Sequence, residues 1–377
     1  MKIVYCHCSL YNPGGMERVL LNKIEWMSRN RNWEIVVVTT DQNGRAPFYH
    51  FPEGVRLVDL GINYTDDKFI PLYKRIPSYI RKRHTHRRKL TELLMSEHPD
   101  ITVSLYPSES SFIPSIKDGS RKILELHFNR YFRLQYGRKG LTGLIDRLRS
   151  RDDSKLAGRF DRFVVLTDED KGYWESLPNI EVIPNAALPS VSHSDCTARR
   201  VIAVGRLDYQ KGFDRLLDVW AKVRSDKRSE GWVLDIFGRG EWKDMLATRI
   251  LELGVSDSVT INDPVDRIYE EYATSSMLVM TSHYEGFPMV MIEAMSAGLP
   301  VVTFDYKCGP RDIITHNVDG LIVSDGEIDV MAESILALMA DDNRRAAIGA
   351  EAMHVADRFS EDRVMQMWMN LFEKVLG

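Results

Sequence analysis

The chain has 377 residues, 44% of them hydrophobic, 28% charged and 10% aromatic. At roughly 150 residues per domain this is material for two globular cores; it excludes a disordered chain, a collagen-like fibre and a small disulfide scaffold, and no run approaches the ~18 apolar residues of a membrane-spanning helix. Net charge is −4 but unevenly placed: residues 1–185 carry +7 and residues 186–377 carry −11, so two units meeting different surfaces are expected.

The N-terminal MKIVYCHC reads as a strand and lacks the long apolar core and cleavage site of a signal peptide. Further strand candidates follow at 33–40, 55–61, 100–105, 121–128, 162–167 and 180–186. Several are apolar on both faces, as strands between two helix layers must be. The spacers mostly have helical length, and strand–helix–strand alternation implies a doubly wound parallel sheet. Polar, aperiodic ALPSVSHSDCTAR (187–199) reads as a linker. A second alternating series follows, with strands at 200–207, 232–240, 258–263, 277–282, 300–305 and 320–324 and closing helices at 328–341, 343–357 and 360–375. The expected domains are 1–187 and 188–359, with 360–377 returning to the first. Cys6, Cys8, Cys196 and Cys308 form no C-x-x-C, so reduced thiols in a cytoplasmic protein are expected.

Gly14-Gly15 follows the first strand and opens the first helix, a place where backbone amides can come close to a ligand; a tight turn without a ligand is the plain alternative. Residues 68–90 hold nine Lys and Arg and no acid, with Phe69, Leu72, Tyr73, Ile76 and Ile80 at near-helical spacing. Pro71 and Pro77 limit any continuous helix before Ser78. Such a stretch suits an anionic bilayer, or is simply a solvated helix face. Asp168-Glu169-Asp170 is a D-x-D, but after Thr167 it reads as first-turn acids behind a helix cap, so no essential metal is expected. In AVGRLDYQKGFDRLLDVW (203–220), Arg206 and Lys211 leave the sheet where two fixed cations suit a diphosphate. FGRGEWK (237–243) lacks the third glycine of a dinucleotide fingerprint. In HYEGFPMVMIEAMSAGLPVVTFD (283–305), Pro288 begins a helix, so amides around Phe287, Met289 and Val290 cluster at an end that favours an anion. Glu285 precedes that helix and Glu293 lies inside it; each carboxylate can accept two sugar hydroxyls.

In combination, the Gly pair, G-R-L-x-x-x-K-G-F and E-G-F-P-x-V-x-I-E-A-M-S-A-G-x-P-V-V resemble family 4 of the retaining glycosyltransferases, most strongly over 200–325. The resemblance implies an α/β GT-B fold, two Rossmann-like domains facing a central cleft. It implies a nucleotide-diphosphate sugar donor, with UDP as the expected nucleotide, and no cofactor. By the family's pattern Arg206 and Lys211 bind the diphosphate, Glu293 the ribose, and Glu285 lies beside the donor sugar. Gly15 brings its amide to the donor phosphate or sugar, with Gly14 beside it, and His127 in LELHFN stands at a strand end near the reacting carbon. Base contacts are expected from Gly238, Arg239, Pro264 and Val265. The implied acceptor is a glycan or polyprenyl-linked glycan of a cell-surface polysaccharide, reached in the cytoplasm or at the inner membrane face. Two alternatives share the architecture: a sugar-nucleotide epimerase, and a subunit that binds donor without transferring it. The acidic balance and the lack of a recognition helix exclude nucleic acid as partner.

Overall fold

A computed structural model describes residues 1–69, 71–105, 108–134, 140–174, 177–187 and 190–377. Ile70 of the basic stretch, residues 135–139, and Leu188 and Pro189 of the expected linker lie outside them. Two compact units result. Unit 1 comprises Met1–Leu166, Lys171–Ile183 and Val364–Gly377; unit 2 comprises Thr167–Asp170 and Pro184–Arg363.

Unit 1 is built on strands β1 (Lys2–His7), β2 (Glu34–Thr39), β3 (Arg56–Asp59), β4 (Ile101–Ser104), β5 (Arg121–Glu125), β6 (Arg162–Val165) and β7 (Ile180–Val182). All pairings are parallel, in the order β3-β2-β1-β4-β5-β6-β7. The central strands are buried on both faces because helices cover both. Val4, Val36, Leu124 and Phe163 meet Leu90 and Leu94 of the helix Leu72–Glu97 in one core, where Trp174 packs edge-on to Phe163 at 4.6 Å. On the terminal helix Glu361–Leu376, Phe372 meets Trp33 with ring centroids 6.2 Å apart, and the Trp368 ring lies 4.0 Å from the Lys23 ammonium.

Unit 2 repeats the design with β8 (Arg200–Val204), β9 (Val233–Phe237), β10 (Val259–Asn262), β11 (Met277–Met280), β12 (Val301–Phe304) and β13 (Gly320–Val323). The parallel order is β10-β9-β8-β11-β12-β13. In each unit the winding reverses beside the first strand, between β1 and β4 and between β8 and β11. Chain leaving the C-terminal ends of those neighbours opens a crevice where open α/β sheets bind ligands.

Two local expectations need correction. The helix expected only after Ser78 begins at Leu72 and contains Pro77. Pro77 removes one hydrogen bond, to the Tyr73 carbonyl, early in a 26-residue helix whose other bonds outweigh the loss. The single helix expected over 343–357 is two, Asp342–Ala352 and Val355–Arg358. The His354 amide bonds Glu351, one residue short of the α-helical partner, and the axis breaks there.

Candidate active site

In unit 2 the chain after β8 makes a short turn, Tyr209–Lys211, before the helix Phe213–Arg224. The chain after β11 runs through Ser282–Glu285 into the helix Met289–Ser296. Because β8 and β11 are hydrogen-bonded neighbours, these segments meet. The Lys211 ammonium donates to Glu285 Oε1 at 2.6 Å, and Ser282 Oγ donates to the same oxygen at 2.8 Å. Gln210 Nε2 donates to Glu285 Oε2 at 3.1 Å, while its Oε1 accepts from the Arg206 guanidinium at 2.7 Å. Arg206, Gln210, Glu285 and Lys211 thus form one network. Its carboxylate is buried and its lysine half-buried, whereas the Arg206 side chain is 67% exposed and also pairs with Asp208.

Glycines make the approach possible. A Cβ on Gly205 would lie 2.9 Å from the Lys211 stem. One on Gly238 would lie 1.9 Å from the Gly205 carbonyl oxygen, and one on Gly240 2.3 Å from that of Leu207. The turns after β8 and β9 are also tied by bonds from Gly205 N to Phe237 O and from Leu207 N to Arg239 O, both 3.0 Å. Arg215 holds the end of β11, donating from Nε to the Thr281 carbonyl at 3.2 Å and from Nη2 to the Ser282 carbonyl at 2.7 Å. His283 stacks on Tyr209 with centroids 4.3 Å apart, and its amide donates to the Gln210 carbonyl.

Glu293 lies half-buried on the helix Met289–Ser296. Burial, then the Glu293 charge, holds the Tyr272 phenol well above its ordinary pKa. Pro288 is the cap residue of that helix, one position earlier than expected. Of the amides expected at this end, Met289 N–H is already taken by the Phe287 carbonyl at 3.0 Å. Phe287 is buried and Val290 half-buried. Gly238 is buried below the exposed Arg239, and Pro264 and Val265 lie on an exposed loop after β10. Thr167 Oγ1 accepts from the Asp170 amide at 3.0 Å, so the D-x-D segment does open as a capped helix turn.

In unit 1, Gly14 caps the helix Gly15–Asn30, and the Glu17 carboxylate folds back against it. His127 lies two residues beyond β5, and its Nε2 is 2.9 Å from Glu125 Oε1. Sequence reasoning missed Gln210, Ser282, Arg215 and Glu125. Gln210 occupies an unspecified position of the G-R-L-x-x-x-K-G-F motif, and Glu125 stands two residues before a histidine in a run that otherwise reads as strand. No spacing rule marks either.

A model described as Glycosyltransferase Family 4 matches residues 13–187, and one described as Glycosyl transferases group 1 matches residues 188–355. The chain belongs to glycosyltransferase family 4. Among curated relatives, the amylovoran biosynthesis glycosyltransferase AmsD of Erwinia amylovora is 36% identical over 57% of this chain and 62% of its own. The exopolysaccharide phosphotransferase SCO2592 of Streptomyces coelicolor is 34% identical over 59% of this chain and 24% of its own. The chain therefore spans less than two thirds of either relative. A Campylobacter jejuni enzyme named as an α-1,4-N-acetyl-D-galactosaminyltransferase acting on a diNAcBac-PP-undecaprenol-linked glycan is 23% identical over 100% of this chain and 99% of its own. Among solved structures, a mutant of S. aureus TarM in complex with fondaparinux, α-GlcNAc-glycerol and UDP has a TM-score of 0.77 at 18% identity, covering 98% of this chain and 99% of that one. The family 4 chain thus has the GT-B fold of two Rossmann-like units, as its sequence implied.

Proposed function

We propose that this family 4 chain is a retaining glycosyltransferase. It moves a hexose or N-acetylhexosamine from a UDP-sugar to a glycan or lipid-linked glycan acceptor in cell-surface polysaccharide biosynthesis. The observation that carries this reading is the Arg206–Gln210–Glu285–Lys211 network at the adjoining ends of β8 and β11. The UDP bound to TarM and the lipid-linked glycan in the Campylobacter enzyme's name support the donor and acceptor classes.

In this reading the bond between the anomeric carbon and the diphosphate breaks, and negative charge grows on the departing phosphate. Arg206 and Lys211 stabilise that charge in place of water, at no cost of reorganisation during the reaction. The acceptor hydroxyl attacks from the face the diphosphate leaves and passes its proton to the departing oxygen, so the configuration is retained without a carboxylate nucleophile. Glu285 orients the sugar. Its oxygens are already held by Lys211, Ser282 and Gln210, which suits a positioning carboxylate better than an attacking one. Glu293 takes the ribose, Gly15 offers its amide to the donor and His127 stands by the sugar. Loops carrying Gly238, Arg239, Pro264 and Val265 receive the base.

A thermal-shift panel of UDP-, GDP- and ADP-sugars tests the donor. A UDP-sugar at one hundred times its Kd adds about 2.7 kcal/mol of apparent stability, and turnover then releases UDP. An unchanged melting temperature with every UDP-sugar would refute the donor assignment.

The same reading places the chain on an anionic membrane surface through 68–90. Tyr73, Ile76 and Ile80, at i, i+3 and i+7 of the helix Leu72–Glu97, are 74%, 69% and 62% exposed. Lys74, Arg75 and Arg81 alternate with them. Among the described residues no helix is long and apolar enough to cross a membrane, so the attachment would be peripheral. A cavity of about 690 Å³ in unit 1, lined by Tyr79, Arg133, Arg149, Lys155 and Arg159 beside two aspartates, suits an anionic headgroup or acceptor phosphate. The chain is expected to float with phosphatidylglycerol vesicles at low salt and to be released at high salt; retention in the pellet at low salt would sink the idea.

A further inference from the structure

Unit 1 contains a buried charge cluster that the transfer scheme does not use. Glu125, the last residue of β5, is fully buried, and its Oε1 receives both the Lys23 ammonium and His127 Nε2. Lys23 comes from the helix Gly15–Asn30, is itself buried, and sits over the ring of Trp368 on the terminal helix. Tyr5 and His7 of β1 complete the surroundings, and the His7 Nε2 is buried without a hydrogen-bond partner among the described residues. A lysine and a glutamate are costly to bury and are seldom retained unless a paired geometry is used.

The charge states follow from the contacts. Burial opposes ionisation of Glu125, but Lys23 and then His127 overcome it and hold the carboxyl down to about 2. His7 is kept neutral, chiefly by burial and secondly by His127, with its pKa lowered to about 4. An ionised carboxylate only accepts hydrogen bonds, so the nitrogen facing it must carry the proton. With that proton on Nε2, the lone pair of an uncharged imidazole lies on Nδ1, and Nδ1 of His127 makes no hydrogen bond among the described residues.

We propose that Glu125 and Lys23 are positioning residues for His127: Glu125 takes the imidazole Nε2–H, so that the Nδ1 lone pair is the one offered to a hydroxyl of the donor sugar, and Lys23, seated on Trp368, keeps Glu125 in place. This rests on the reading of the chain as a transferase with His127 at the sugar. The terminal helix then becomes part of the fixture, because Trp368 supplies the ring face that holds the lysine.

Turnover and donor KM of E125Q, H127A and the double variant test this. E125Q is expected to lower kcat by roughly 10–100-fold with donor KM within about 3-fold, the scale on which outer hydrogen-bond partners act. In the H127A background the same change is expected to cost less than about 2-fold, because a residue acting through His127 has nothing left to position. Additive losses, or parental turnover in E125Q, overturn the proposal. Where E125Q strands Lys23 and the chain fails to fold, K23M/E125M replaces the pair by apolar side chains of similar length; it is expected to melt near the parent and to lose the same turnover, and parental turnover in it overturns the proposal. Nitrogen-15 NMR of the parent gives a readout free of activity: His127 is expected as the Nε2–H tautomer, and an Nδ1–H tautomer overturns the assignment. No sugar transfer by the parent chain from any UDP-sugar would instead mean that the transferase reading has failed.

Discussion

Lys211→Ala is expected to lower donor turnover by about 10²–10³-fold, the scale for deleting one preorganised group that stabilises a developing anion. Two effects add. The diphosphate loses a cation held in place by Glu285 and by packing against Gly205. The Glu285 carboxylate, 6% exposed, loses the nearby positive charge of Lys211, which weakens the offset to its repulsion of the anion bound beside it. Lys211→Arg is expected to recover only part of the rate, because the bulkier guanidinium must fit over the same glycine. Steady-state kinetics with the donor found in the panel, together with a melting curve for each variant, checks this. A fall in melting temperature with normal turnover in the folded fraction would reduce Lys211 to a structural ion pair.

Gly212→Ala is expected to destabilise the protein by roughly 2–5 kcal/mol, the sum of a left-handed alanine and an overpacked contact. Gly212 has φ +61°, and a Cβ there would lie 2.2 Å from the Thr281 carbonyl oxygen, a backbone atom that cannot swing aside. That oxygen lies one residue beyond β11, so relief of the collision must separate the turn carrying Lys211 from the segment carrying Glu285, and turnover falls with stability. Gly254→Ala is the control: φ is +67°, with no atom within 4 Å of the new Cβ, and a loss of only about 1–2 kcal/mol from the backbone alone is expected. Urea denaturation of the two variants separates the terms. Equal losses would show that the Thr281 contact is relieved without cost.

Much of the fold was legible because parallel buried strands announce themselves. Runs such as WEIVVVTT and PVVTFD are apolar on both faces and too short for helices, and each became a strand within a residue or two of its expected limits. The helix start at Leu72 was not legible, because a proline penalty of a few kcal/mol reads as a stop in isolation while a long helix can absorb it. Glu17 and Met289 show a second limit. The amides at Gly14-Gly15 and around Phe287, Met289 and Val290 were read as open to a ligand, yet the folded-back Glu17 side chain and the Phe287 carbonyl occupy those two helix ends in part.

By itself the sequence determined the alternation of strands and helices, the family motifs, and which residue types stand at the strand ends. The tertiary structure alone decided which ends are neighbours. Lys211 meets Glu285, and Lys23 meets Glu125, across long stretches of chain because β8 pairs with β11 and the first helix packs back on its own sheet. Strand order comes from the packing of whole elements, and no local spacing encodes which strand a given strand pairs with.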